Sequence, residues 1–255
     1  MSRLVDTQIV SLAFKGKDEE AATMAQSSFI SSITASEFLL SQGKGADKPD
    51  YYVLPARPYL RMAMGAPDFE DERRGNKKWA RMAHRHTDQF ILDFGSDLPQ
   101  IIEYGSRAIS TIINHGYGQL YRFCVSHLVK QKQKYLIKRC EYLCQNQCQC
   151  LPLTKQIGEF ALKAMDAFLS KYNAKANPRN TVNDVLILAT ARTRKLKLST
   201  KDSLLNRFSG EFLGGTIQKK GRRLSVDFSG DSTRVRRRSP ESKGYINRGW
   251  QVRLL

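Results

Sequence analysis

The apolar positions at the start of the chain stop and restart in a strand-then-helix rhythm. Arg3-Leu-Val-Asp6 reads as a short strand that ends at Asp6, and Ile9, Val10, Leu12, Ala13 and Phe14 then recur at the spacing of a helix or turn. Residues 18–24 start a helix with acidic residues in its first turn, where the helix dipole favours them. Residues 29–33 alternate as a second strand. Thr34 then stands three residues before Glu37, the spacing of a capping box, so Glu37 has a purely structural reading as well as a chemical one.

Between Gln42 and Cys150 this rhythm fades. A polar loop (44–50) leads into 51–67, with three prolines, and then into a strongly charged stretch, 68–86. Residues 98–128 and 129–144 read as helices, so 43–150 is expected to be a mostly helical insertion. From Leu153 the pattern sharpens. Thr154 begins a helix with Ile157, Phe160, Ala161, Ala164, Met165 and Phe168 on one apolar side. Residues 173–180 read as a loop, Thr181 or Asn183 as the cap of a helix over 184–193, residues 196–200 as a strand, and 203–208 as a helix. Beyond Gly210 the chain is basic and rich in Ser and Gly, which predicts a partly disordered tail over 210–255 with one short strand at 224–228.

Composition narrows the partners. The 255 residues carry 42 Lys and Arg against 24 Asp and Glu, a formal net charge of +18. This points to a polyanion, and nucleic acid is favoured over a membrane surface because no basic amphipathic helix with aromatic anchors stands out. No apolar run is long enough to span a bilayer, and the first residues lack the features of a secretory signal, so the expectation is a cytoplasmic protein with no membrane association. The five cysteines (Cys124, Cys140, Cys144, Cys148 and Cys150) are odd in number. They read as reduced structural residues, with a zinc site as the lesser alternative.

Four acids stand where an α/β sheet collects its chemistry. Asp6 and Asp202 each end a strand, Asp184 opens a helix, and Glu37 follows the second strand; functional groups gather at the carboxyl ends of such strands. Asp184 and Asp202 are separated by one helix and one strand, a path that returns the chain to the same sheet edge. Carboxylates gathered in one cleft resist joint ionisation, and a hard divalent cation such as Mg2+ or Mn2+ removes that penalty. Any one of these acids alone reads more simply as a cap or a surface charge; the argument rests on all four.

The segments Leu4-Val-Asp6-Thr7-Gln8-Ile9, Ile33-Thr34-Ala35-Ser36-Glu37, Asn183-Asp184-Val-Leu-Ile-Leu-Ala-Thr190 and Leu198-Ser-Thr200-Lys-Asp202 resemble the successive motifs of PIN-domain nucleases, most closely the VapC-like toxin branch. The resemblance covers about residues 1–42 and 151–209. It implies a PIN-like three-layer α/β/α sandwich with a central parallel sheet, and divalent-metal-dependent endoribonuclease activity. By position Asp6, Glu37, Asp184 and Asp202 would be the catalytic, metal-binding acids, and Thr200 the hydroxyl residue that precedes the last of them. Gln8 departs from the family's more usual Asn or Ser. Small toxins of this type have no counterpart of 43–150 or of the basic tail.

RNA is expected ahead of DNA as the substrate, in a toxin–antitoxin or defence setting, with a cognate inhibitor protein and a homo-oligomer as further candidate partners. Arg73, Arg74, Lys77, Lys78, Arg192 and Arg194 are candidate phosphate contacts, each with a plain reading as a solvated surface charge, and Thr200 is a further candidate nucleic-acid contact. Tyr51, Tyr52 and Trp79 are candidate stacking residues, although each reads more simply as core or surface filler. His84 and His86 lie two apart and so do not share a helix face, which weakens any acid–base or metal reading of them. The competing readings are a catalytically silent PIN-like RNA-binding or assembly module and a structure-selective DNA nuclease.

Overall fold

A computed structural model describes residues 2–39, 87–95, 98–220, 223–228 and 250–255. In chain order the elements are β1 (Arg3–Val5), α1 (Thr7–Phe14), α2 (Glu19–Ala25), β2 (Phe29–Ser31), α3 (Ser32–Phe38), β3 (Gln89–Asp93), β4 (Ile101–Tyr104), α4 (Ser106–Asn114), α5 (Gly118–Cys124), α6 (Lys130–Gln145), β5 (Gln149–Leu151), α7 (Lys155–Leu169), α8 (Pro178–Thr193), β6 (Lys197–Thr200), α9 (Ser203–Phe212), β7 (Thr216–Lys220), β8 (Arg223–Asp227) and β9 (Gln251–Leu254).

The fold is α/β. A six-stranded sheet has the order β5-β2-β1-β6-β8-β7. Its first four strands run parallel, and β8 and β7 are added antiparallel, so the sheet is mixed rather than wholly parallel. Side chains alternate across a strand, and the alternation divides the interior in two. Leu4 and Leu198 enter one apolar cluster with α7, α8 and α9, whereas Val5 and Ile30 enter another with α1, α2 and α4–α6. Helices therefore cover both faces of the parallel half. A second sheet, β4-β3-β9, is antiparallel and packs against α7 through Phe90 and Val252, which close on Gly158.

Several elements differ from the sequence reading. Among the described residues, 87–151 is not simply a helical insertion. It supplies β3, β4 and the edge strand β5, which pairs in parallel with β2. Ile109, Ile112, Leu136, Cys140 and Leu143 are buried with Val10 and Phe38, so this segment builds one of the two cores. The stretch beyond Gly210 forms β7 and β8 and contributes β9, where Phe90 pairs with Leu254. The strand expected at 224–228 is present as β8. Local sequence could not announce β7 or β9, because a strand is stabilised by partners that are distant in the chain.

Two helix starts also move. The N-cap of α3 is Ser31, whose Oγ accepts from the backbone N–H of Thr34 at 3.0 Å. Glu37 thus lies in the last turn of α3 and is not the partner of a capping box. Helix α8 begins at Pro178, with Asn177 as its cap. Proline suits the first helical position, where no N–H is needed. Asp184 therefore sits in the second turn of α8 rather than opening it. The helices expected to start at Asp18 and Thr154 are in place with these residues as their caps: each accepts a backbone N–H three residues on, at 3.0 and 3.3 Å.

Candidate active site

The parallel pairing of β1 with β6 sets Leu4 beside Leu198 and Val5 beside Ser199, so the two strands end within one residue of each other. Asp6 follows at once. Its N–H donates to the Ser199 carbonyl at 3.1 Å, and its Oδ2 accepts from Thr200 Oγ1 at 2.6 Å. Asp6 also caps α1 through the Thr7 N–H, and Asp202 caps α9 through the Leu205 N–H at 3.0 Å. Two acids at the same sheet edge thus sit on helix N-termini, where the dipole favours negative charge.

The other two acids arrive from helices. Glu37 accepts from Thr7 Oγ1 at 2.6 Å on one oxygen and from Asn183 Nδ2 at 2.9 Å on the other. Asp184, next in sequence to Asn183, is ion-paired with Lys175, and the same ammonium stands 3.6 Å from Asp202. All four expected acids are brought to one place, and Thr200 lies among them.

The electrostatics agree with that placement. Burial raises the carboxyl pKa of Asp6, and the charges of Glu37 and Asp202 add to the rise, while the Thr200 and Thr7 hydrogen bonds work against it. Burial likewise raises Glu37, with a contribution from Asp184, against the Thr7 and Asn183 hydrogen bonds. Asp184 is raised by burial and by Asp6 and Asp202, against the pull of Lys175. Burial disfavours the Lys175 ammonium, but Asp184 and Asp202 outweigh it and hold its pKa above the usual lysine value. Crowded, half-desolvated carboxylates that feel one another's charge are the arrangement in which a cation lowers the energy most.

A fifth acid, Glu103 on β4, went unnoticed in the sequence. It is buried, it feels the charge of Glu37, and burial pushes its pKa up to about 6 despite the Arg179 guanidinium. Arg179 holds it at 2.6 Å and also donates to the Ile102 carbonyl. Lys175, Arg179 and Asn183 were likewise unforeseen as site residues. All three belong to the segment that leads into or begins α8, and the Asn177-Pro178 start signal could have located it.

The donor set is of the kind a hard divalent cation takes: carboxylate oxygens, hydroxyls and an amide. Asn183 adds a further pointer. It is 7% exposed, its nitrogen is spent on Glu37, and its buried Oδ1 has no hydrogen-bond partner among the described residues. Among the described residues, however, no three acidic, cysteine or histidine side chains are grouped closely enough to hold one ion as they stand. Thr7, Thr200, Asn183 and Lys175 engage these carboxylates with hydrogen bonds and an ion pair. The carboxylates suit a divalent ion in chemistry, and their side chains would have to shift for three of them to reach one ion.

The basic candidates divide. Arg192 is turned to structural use: its Nε donates to the Leu213 carbonyl at 3.0 Å and its guanidinium lies near the rings of Phe160 and Phe228. Arg194 is exposed at the C-terminal end of α8, two turns or more from Asp184. Arg73, Arg74, Lys77 and Lys78 lie outside the described residues, as do Tyr51, Tyr52, Trp79, His84 and His86. Cys124, Cys140, Cys148 and Cys150 are buried in the cluster built on α1–α6, where burial raises the thiol pKa of Cys148 to about 11 and of Cys150 to about 12. Such thiols are protonated and inert at neutral pH. No helix among the described residues is long and apolar enough to cross a membrane.

No family model, curated protein or solved structure matches this chain.

Proposed function

We propose that the chain is a divalent-metal-dependent endonuclease with a PIN-like α/β/α core, acting on RNA, with Mg2+ or Mn2+ held among Asp6, Glu37, Asp184 and Asp202. The observation that carries this reading is the gathering of four acids from four separate segments at one sheet edge, three of them with carboxyl pKa values raised by burial and by one another. A bound ion of this class supplies Lewis-acid stabilisation of the charge that develops on phosphodiester oxygens. The chain's own groups supply the rest. Thr200 and the Thr7 N–H fix the Asp6 carboxylate, and Thr7 and Asn183 fix both oxygens of Glu37. Lys175 and Arg179 place positive charge beside the acids, and the net charge of +18 favours a nucleic-acid backbone. The preference for RNA, the toxin or defence setting, the cognate inhibitor, self-association and a cytoplasmic location all rest on the motif resemblance and composition.

A second reading, a catalytically silent RNA-binding or assembly module on the same core, draws on one observation: Lys175 already neutralises two of the acids, and no three of the described acids are arranged as ligands to one ion. Labelled RNA and DNA pools incubated with the protein in Mg2+, in Mn2+ and in chelator separate the two. Cleavage of RNA with either metal and none with chelator is expected. Retention of both pools uncut in every condition would favour the silent module.

A further inference from the structure

The Lys175 side chain occupies an unusual place for a lysine in a loop. The loop is pinned, since the Lys175 N–H donates to Thr181 Oγ1 at 2.8 Å and Thr181 is itself buried. The adjoining turn is fixed by the Asn177 cap and by Pro178 at the start of α8. The ammonium is thereby held between Asp184, from the second turn of α8, and Asp202, from the N-cap of α9. These two carboxylates come from different elements, and Lys175 is the cation that joins them. Its side chain is about half exposed, so it can leave without unfolding the loop that carries it.

We propose that Lys175 is an intramolecular competitor for the divalent ion: its ammonium bridges Asp184 and Asp202 when no metal is bound and is released from them when one binds. The inference rests on the metal-dependent reading of the site. A compact, strongly hydrated ammonium on a flexible stem is suited to such exchange, whereas a guanidinium would hold the carboxylates through a rigid fork. Competition has two reciprocal consequences. The lysine weakens metal affinity, and the metal sets the lysine free. Once freed, Lys175 lies beside Asp184 and Asp202 and can meet a phosphate oxygen of the bound strand.

The test uses the full chain. Calorimetric titration with Mg2+ compares wild type with Lys175→Met and Lys175→Arg. Lys175→Met should bind Mg2+ on the order of tenfold more tightly, because a competing charge is gone. Lys175→Arg should bind no more tightly than wild type. Equal or weaker binding by Lys175→Met, in a wild type that does bind Mg2+, overturns the inference and leaves the proposed function standing. Wild type alone gives a second readout: amine acylation at Lys175, followed by mass spectrometry, should increase when Mg2+ is raised to saturation. Unchanged or reduced labelling overturns it as well. If neither wild type nor Lys175→Met takes up Mg2+ or Mn2+, the metal reading falls, and the inference with it.

Discussion

The Asn183 side-chain amide donates a 2.9 Å hydrogen bond to the Glu37 carboxylate, joining the second turn of α8 to the last turn of α3 across 146 residues of sequence. With Thr7 on the other Glu37 oxygen, this bond orients a buried acid whose pKa burial has already raised. Asn183→Leu should leave the carboxylate short of one donor and lower stability by about 1–3 kcal/mol, the usual cost of an unsatisfied buried polar group. Urea unfolding measures it. A loss below about 0.5 kcal/mol would mean that the amide does not hold Glu37 in solution.

Thr200 connects both strand-end acids, donating to Asp6 Oδ2 at 2.6 Å and accepting the Asp202 N–H at 3.1 Å. It is 3% exposed, so water cannot readily replace it. Thr200→Val should cost about 1–3 kcal/mol in urea unfolding. It should also raise the Asp6 pKa further, because a hydrogen bond that favours the charged form is lost. Thr200→Ser, which keeps the hydroxyl, should recover most of both effects.

Glu103 should give the protein's stability a pH dependence of unusual sign. Its folded pKa of about 6 lies above the ordinary 4.5, so the native state binds the proton more tightly than the unfolded chain. The stability linked to this proton is present below about pH 4.5 and is lost as pH rises through about 6. At 1.36 kcal/mol per pKa unit the loss is about 2 kcal/mol. Asp6, Glu37 and Asp184 are shifted the same way and add to the trend. Unfolding between pH 4.5 and 6.5 in chelator should show this decline, and Glu103→Gln should flatten it. A stability that rises with pH by the same amount in both proteins would contradict the assignment.

Arg192 and Arg194 should behave differently although both were candidate phosphate contacts. Arg192 is tied to the Leu213 carbonyl and two rings, so Arg192→Ala should destabilise by about 1–2 kcal/mol. Nucleic-acid affinity per folded molecule should be unchanged. Arg194→Ala should alter stability by no more than about 0.5 kcal/mol. Filter binding at several salt concentrations, together with thermal melts, distinguishes the two. A reduced salt slope for Arg192→Ala at full stability would reverse its assignment.

The parts legible in the sequence are those fixed by short-range chemistry. Asp18 and Thr154 cap helices where a polar side chain precedes an apolar period, and the strand endings at Asp6 and near Asp202 follow from runs of apolar residues that stop. What stayed hidden depends on distant partners. Strand β3 has its place because β9, some 160 residues on, pairs with it and α7 packs behind it. The error over Glu37 came from Thr34, whose position imitates a capping box while the cap is Ser31. Asp6, Glu37 and Asp202 could be found because each closes a strand or lies on the helix that follows one, and Asp184 because it lies on the helix that leads into β6. Lys175 and Glu103 could not, since their importance comes only from the side chains they face.

Asp184 is the acid that meets Lys175 and feels the charges of both strand-end acids. The direct measurement is single-turnover cleavage of labelled RNA by wild type and Asp184→Asn in saturating Mn2+, with RNA binding followed in parallel. Wild type should cut, and the variant should bind RNA to within about threefold of wild type while its cleavage falls by at least about a hundredfold. Cleavage by Asp184→Asn at the wild-type rate would contradict the assignment of this cluster as the site of catalysis.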